Sequence, residues 1–141
     1  MTSSSVYVRR TSASSTPRKI RIMAVDDEED ILQIIKRSLE MHHFVVDTYD
    51  DPKRALSEYR PNRYELLILD IRMPGLDGFE LYRKIRDVDF KVKVCFLTAF
   101  ETYRDRFREL FPELDEVKCY IKKPVNVADL IHHVENVLEL H

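Results

Sequence analysis

The sequence predicts an α/β fold: a doubly wound, five-stranded parallel sheet with helices on both faces. From Ile20 onward, short β-branched runs alternate with stretches whose apolar residues recur at helical spacing. Five strands alternating with five helices make a (βα)5 arrangement, hence a parallel sheet covered on both faces, and right-handed crossovers then leave few topologies. Leu66–Ile71 is apolar except at Asp70, as expected of a central strand buried on both faces.

The 141 residues suit one domain with one core. At 44% hydrophobic and 34% charged, the chain is too apolar for wholesale disorder and too charged for a membrane protein. No run approaches the roughly 18 apolar residues of a spanning helix. Two cysteines make no disulfide framework, and no CxxC or Cys/His spacing suggests zinc. Cys95 and Cys119 are expected to be free, small apolar strand fillers. This composition points to a soluble, cytoplasmic protein.

Residues 1–18 form a Ser/Thr-rich basic tail, expected to be disordered because it has little to bury. It lacks the apolar run of a secretory signal. Residues 1–21 hold Arg9, Arg10, Arg18, Lys19 and Arg21 with no acid, which leaves 18 basic against 25 acidic residues in the remainder. An acidic body argues against nucleic-acid binding by the domain at 19–141.

Ile20–Val25 reads as the first strand, closed by Asp26, Asp27, Glu28, Glu29 and Asp30. Residues 28–42 follow as a helix with its stripe at Ile31, Ile34, Ile35 and Leu39, and acids at its start suit the helix dipole. Phe44–Tyr49 is the second strand. Asp51–Arg60 is a short helix, with Pro52 tolerated in the first turn. After Leu66–Ile71 come a helix within Gly75–Val88, a buried strand Val92–Thr98, and a helix Phe100–Phe111 marked by Phe100, Tyr103, Phe107, Leu110 and Phe111. Val117–Ile121 is the fifth strand. Val127, Leu130, Ile131, Val134 and Leu138 mark a final helix.

Ligands of open parallel sheets bind beyond the carboxyl ends of the strands. Those ends carry Asp26, Asp27, Asp70, Thr98 and, just past the fifth strand, Lys123. Three crowded carboxylates repel unless a cation joins them. Mg2+ takes oxygen ligands, uses one or two protein carboxylates, and leaves places for water and phosphate oxygens. Asp70 is then the candidate nucleophile for an aspartyl phosphate, with Thr98 and Lys123 neutralising the phosphoryl oxygens. His42–His43 and His132–His133 are poor ligand pairs, since adjacent helical residues point apart.

At these positions the chain resembles a response-regulator receiver domain of two-component signal transduction, of the stand-alone chemotaxis-regulator kind. The resemblance rests on VDDEEDI, on LLILDIRMPGLDG with Met73, Pro74, Asp77 and Gly78 after Asp70, on FLTAF, and on YIKKP. It implies a flavodoxin-like fold with strand order 2-1-3-4-5. It implies Mg2+ held by Asp27 directly, by Asp26 through water, by Asp70, and by the backbone carbonyl of Arg72. Asp70 would accept the phosphoryl group, with Thr98, Ala99 and Lys123 binding its oxygens. Lys122 competes with Lys123 for this role; the Lys-Pro juxtaposition favours Lys123. Thr98 and Tyr120 would act as the switch, and Pro124 would follow a cis peptide bond.

The implied partners are a histidine kinase or phosphotransfer protein and a downstream protein docking on the last helices and fifth strand, with no membrane contact. The protein would catalyse its own phosphorylation and slow dephosphorylation rather than turn over a substrate. The 25-residue interval from Thr98 to Lys123 and the segment FPELDEVKCY depart from the family pattern, so the output face is expected to be atypical. The alternative is a receiver-like interaction module that works without phosphorylation. A related phosphatase is disfavoured because Arg72 stands where such enzymes place a second acid.

Overall fold

Period-2 burial divides each central strand between two cores. A computed structural model describes residues 8–10, 17–99, 109 and 119–140. Its main sheet contains β1 (Arg21–Val25), β2 (Val45–Tyr49), β3 (Leu66–Asp70), β4 (Lys93–Thr98) and β5 (Tyr120–Lys122). All neighbours are parallel, in the order β2-β1-β3-β4-β5. This is the 2-1-3-4-5 order, with the reversal between β1 and β3. On one face Met23, Val25, Leu67, Leu69 and Phe96 pack against α2 (Pro52–Glu58) and α3 (Gly78–Arg86). On the other, Ile22, Ala24, Ile68, Leu97 and Ile121 pack against α1 (Glu29–Glu40) and α4 (Val127–Val137). Every residue of β3 is buried, Asp70 included. Burying a carboxylate is costly, and its place at the strand's last residue sets it at the sheet rim.

The helix ends follow local chemistry. Asp51 caps α2 by accepting from Lys53 N, with Pro52 at the first helical position. Asp77 and Glu80 form a reciprocal capping box for α3, which therefore starts at Gly78; Gly75 instead takes φ +84° in the preceding turn. Asn126 caps α4 by accepting from Asp129 N. No helix among the described residues is long and apolar enough to cross a membrane.

Several expectations need correction. Cys95 and Cys119 are not free thiols but a disulfide. Phe96 lies opposite Tyr120 in the β4–β5 register, so the preceding residues face each other, with Cα atoms 4.6 Å apart. Ile34 is 39% exposed and not part of the buried stripe of α1; Leu32 takes that place. Helix α2 stops at Glu58, because Tyr59 turns to extended backbone (ψ 136°) and its hydroxyl donates to buried Asp89. Val8–Arg10, in the tail expected to be disordered, pairs with Pro17–Lys19 as an antiparallel ribbon. The helix expected at Phe100–Phe111 lies outside the described residues apart from Glu109, as do residues 117 and 118 of the expected fifth strand.

Candidate functional site

Asp26 follows the last residue of β1 and is fully buried; its amide donates to the Tyr49 carbonyl and its Oδ1 accepts from Glu28 N at 2.8 Å. These contacts fix the carboxylate toward β3. Asp70, at the end of β3, is 5% exposed, whereas Asp27, next to Asp26 in the chain, is exposed. One oxygen from each of Asp26, Asp27 and Asp70 lies within 4.8 Å of the others. Three hard oxygen donors this close, two of them buried, fit a divalent cation such as Mg2+.

Lys123 enters from the loop after β5. Its Nζ lies 3.0 Å from Asp26 Oδ2, 3.0 Å from Glu28 Oε1 and 3.4 Å from Asp70 Oδ1. The Lys123 amide donates to the Thr98 carbonyl, and the Lys123–Pro124 peptide is cis. Lys122, on the strand, is exposed and not among the residues lining the Asp70 cleft. Thr98 ends β4 as a buried residue, while Ala99 beside it is exposed. Asp70, Arg72, Thr98, Ala99, Lys123 and Glu28 contribute to a cleft of about 150 Å3 over the rim. That is room for a group of phosphoryl size, not for an extended organic substrate.

Gly78 packs against the backbone that carries the site. A Cβ there would lie 2.3 Å from the Asp70 carbonyl oxygen, and Gly78 N donates to the Ile71 carbonyl at 2.9 Å. The start of α3 thus presses directly on the backbone that carries Asp70, which only glycine allows. Tyr120 is half-buried on β5, its ring 5.9 Å from that of Phe96. Thr98 lies two register steps along, opposite Lys122.

The electrostatics follow from burial. Desolvation, then the charge of Asp26, pushes the Asp70 carboxyl up to about 7, although Lys123 and the Arg72 amide pull the other way. Asp26 is also raised, by burial first, against the hydrogen bond from Glu28 and the nearby Lys123. Burial opposes the Lys123 charge, but hydrogen bonds to Asp26 and Glu28 and the charges of Asp26 and Asp70 outweigh it and hold the ammonium above its ordinary value. One ammonium does not neutralise this cluster, and a further cation would.

Sequence reasoning missed Glu28 as a partner of Lys123. It reads as one of several acids favouring a helix start, and indeed stands at the N-cap of α1 without making a side-chain cap. Only the geometry shows its carboxylate turned to Lys123.

Residues 22–135 match the family model of the response regulator receiver domain. Among curated relatives, the transcriptional regulatory protein PrrA of Mycobacterium tuberculosis is 36% identical over 118 residues, 84% of this chain and 49% of that protein. The heme response regulator HssR of Staphylococcus epidermidis is 30% identical over 119 residues, covering 84% and 51%. The chain therefore spans about half the length of these relatives. Among solved structures, the non-phosphorylated HemR receiver domain from Leptospira biflexa matches with TM-score 0.75 and 30% identity, covering 87% of this chain and 97% of that one. The Vibrio cholerae chemotaxis protein CheY4 shares the fold, with TM-score 0.72, 24% identity and coverage of 84% and 98%.

Proposed function

The chain belongs to the response-regulator receiver domain family of two-component systems, and from that premise we propose that it takes a phosphoryl group from a phosphohistidine onto Asp70. The convergence of Lys123 on Asp26 and Asp70 beside a cleft of phosphoryl size carries this reading. An Asp70 oxygen attacks phosphorus in line, the P–O bond forms as the P–N bond to the donor imidazole breaks, and the imidazole leaves with the bonding electrons and gains a proton. Lys123 follows the charge onto a phosphoryl oxygen, and the Thr98 hydroxyl with the Ala99 amide binds the others. Asp26, Asp27, Asp70 and the Arg72 carbonyl would hold Mg2+, which lowers the repulsion between the carboxylates and the incoming phosphoryl oxygens.

In this account the phosphorylated form favours an arrangement in which Thr98 turns toward the phosphoryl group and Tyr120 follows. This shifts a docking surface for a downstream protein or prepares the group for onward transfer. The test is incubation with a small phosphodonor and Mg2+, read by intact-protein mass. Wild type gains one phosphoryl group, whereas Asp70→Asn and wild type in chelator gain none. Equal labelling of Asp70→Asn would refute the assignment.

A further inference from the structure

The opposite end of the sheet carries the reverse charge. Lys19 and Arg21 flank the entrance to β1, and Arg60 and Arg63 stand on the loop between α2 and β3. These four cations line an open cleft of about 490 Å3, and Glu65 is the one acid among its lining residues. Arg21 and Arg63 share Asp47 at 3.3 and 3.8 Å, while Lys19 and Arg60 have no acidic partner among the described residues.

The loop that presents the arginines is anchored on both sides. Buried Asp89 accepts from the Tyr59 hydroxyl at 2.6 Å and from Asn62 N at 3.1 Å, and the Tyr64 hydroxyl donates to Asp47 at 2.7 Å. Asn62 holds φ +67°, which turns the chain so that Arg60 and Arg63 border one opening. A loop backbone held in place before a ligand arrives loses little conformational entropy on binding. The guanidinium fork suits phosphate oxygens better than a spherical anion. The ribbon register sets Arg9 opposite Arg18, next to Lys19, and residues 1–21 contain five cations and no acid.

We propose that this cleft is a second anion site, binding phosphate-ester oxygens through Lys19, Arg21, Arg60 and Arg63. It lies at the far end of β1 from the acceptor carboxylate, about 16 Å along the strand. A soluble oligophosphate and a phospholipid headgroup offer the same oxygens.

The experiment uses the full chain in chelator, so that metal-dependent binding at Asp70 does not contribute. Tripolyphosphate is titrated by calorimetry, and co-sedimentation is measured with phosphatidylcholine vesicles with and without phosphatidylglycerol. Expected is tripolyphosphate binding that Arg60→Ala/Arg63→Ala weakens at least tenfold, that Arg60→Lys/Arg63→Lys weakens less, and that Lys123→Ala leaves within twofold. Co-sedimentation with the phosphatidylglycerol vesicles, lost in the double alanine variant, assigns the oxygens to a lipid headgroup; tripolyphosphate binding without it assigns them to a soluble anion. No binding in either arm, undiminished binding by the double alanine variant, or loss confined to Lys123→Ala overturns the proposal. Both arginines are exposed, and an unchanged thermal midpoint of the arginine variants checks that they fold.

Discussion

Lys123 divides its ammonium among three carboxylates, and they are not equivalent. Asp26 and Asp70 are buried, whereas the Glu28 side chain is 61% exposed. The Glu28 carboxylate is screened by solvent, so its contact contributes at most about 1 kcal/mol and competes only weakly for the ammonium. In the proposed reaction, releasing it favours contact with an incoming phosphoryl oxygen. Glu28→Gln is therefore expected to raise the rate of phosphoryl uptake about two- to fivefold, measured by time-resolved mass spectrometry at fixed phosphodonor. A drop in rate would mean that Glu28 positions Lys123 rather than competing for it.

Among the elements, β5 is the shortest strand of the sheet, three residues paired only to β4 on the sheet's edge. The Cys95–Cys119 bond fastens its entrance to β4 from within the apolar core shared with α1 and α4. Closing 24 residues of chain restricts the unfolded state by about 3 kcal/mol. Cys95→Ala/Cys119→Ala should lower unfolding free energy by about that much in urea, and adding reductant to wild type should reproduce most of the loss. Equal midpoints in all three samples would show that the bond contributes nothing.

The alternating runs that predict this sheet are local, and so are the cues for Asp70 in an apolar strand and for Lys123 before Pro124. What the sequence leaves out depends on register and direction. Cys95 meets Cys119 because β4 and β5 align at Phe96 and Tyr120, a non-local fact. Ile34 fits a helical stripe as well as Leu32 does, and only the placement of α1 on the sheet decides between them. The early end of α2 depends on Asp89, thirty residues from Tyr59, and not on any signal in the helix itself.

For the molecule as a whole, the crowded carboxylates of the acidic rim weaken the fold. Metal-free, the folded Asp70 carboxyl titrates at about 7 against 3.8 when exposed, so the folded state holds its proton more tightly. The resulting penalty is absent below the unfolded value, grows as pH rises, and is complete above pH 7. In chelator, Asp70→Asn should exceed wild type in stability at pH 8 by on the order of 2 kcal/mol, with the gap closing toward pH 4 and shrinking when Mg2+ is added at pH 8. Thermal midpoints across that pH range test the sign; a gap that widened with acidity would contradict it. The sulfur bridge has a different consequence for the integrity of the polypeptide. A single peptide cut anywhere from Phe96 to Lys118 leaves both pieces in one covalent body, carrying Asp70 on one and Lys123 on the other. On a denaturing gel such a nicked sample should migrate as one band until thiol is added, and then as two.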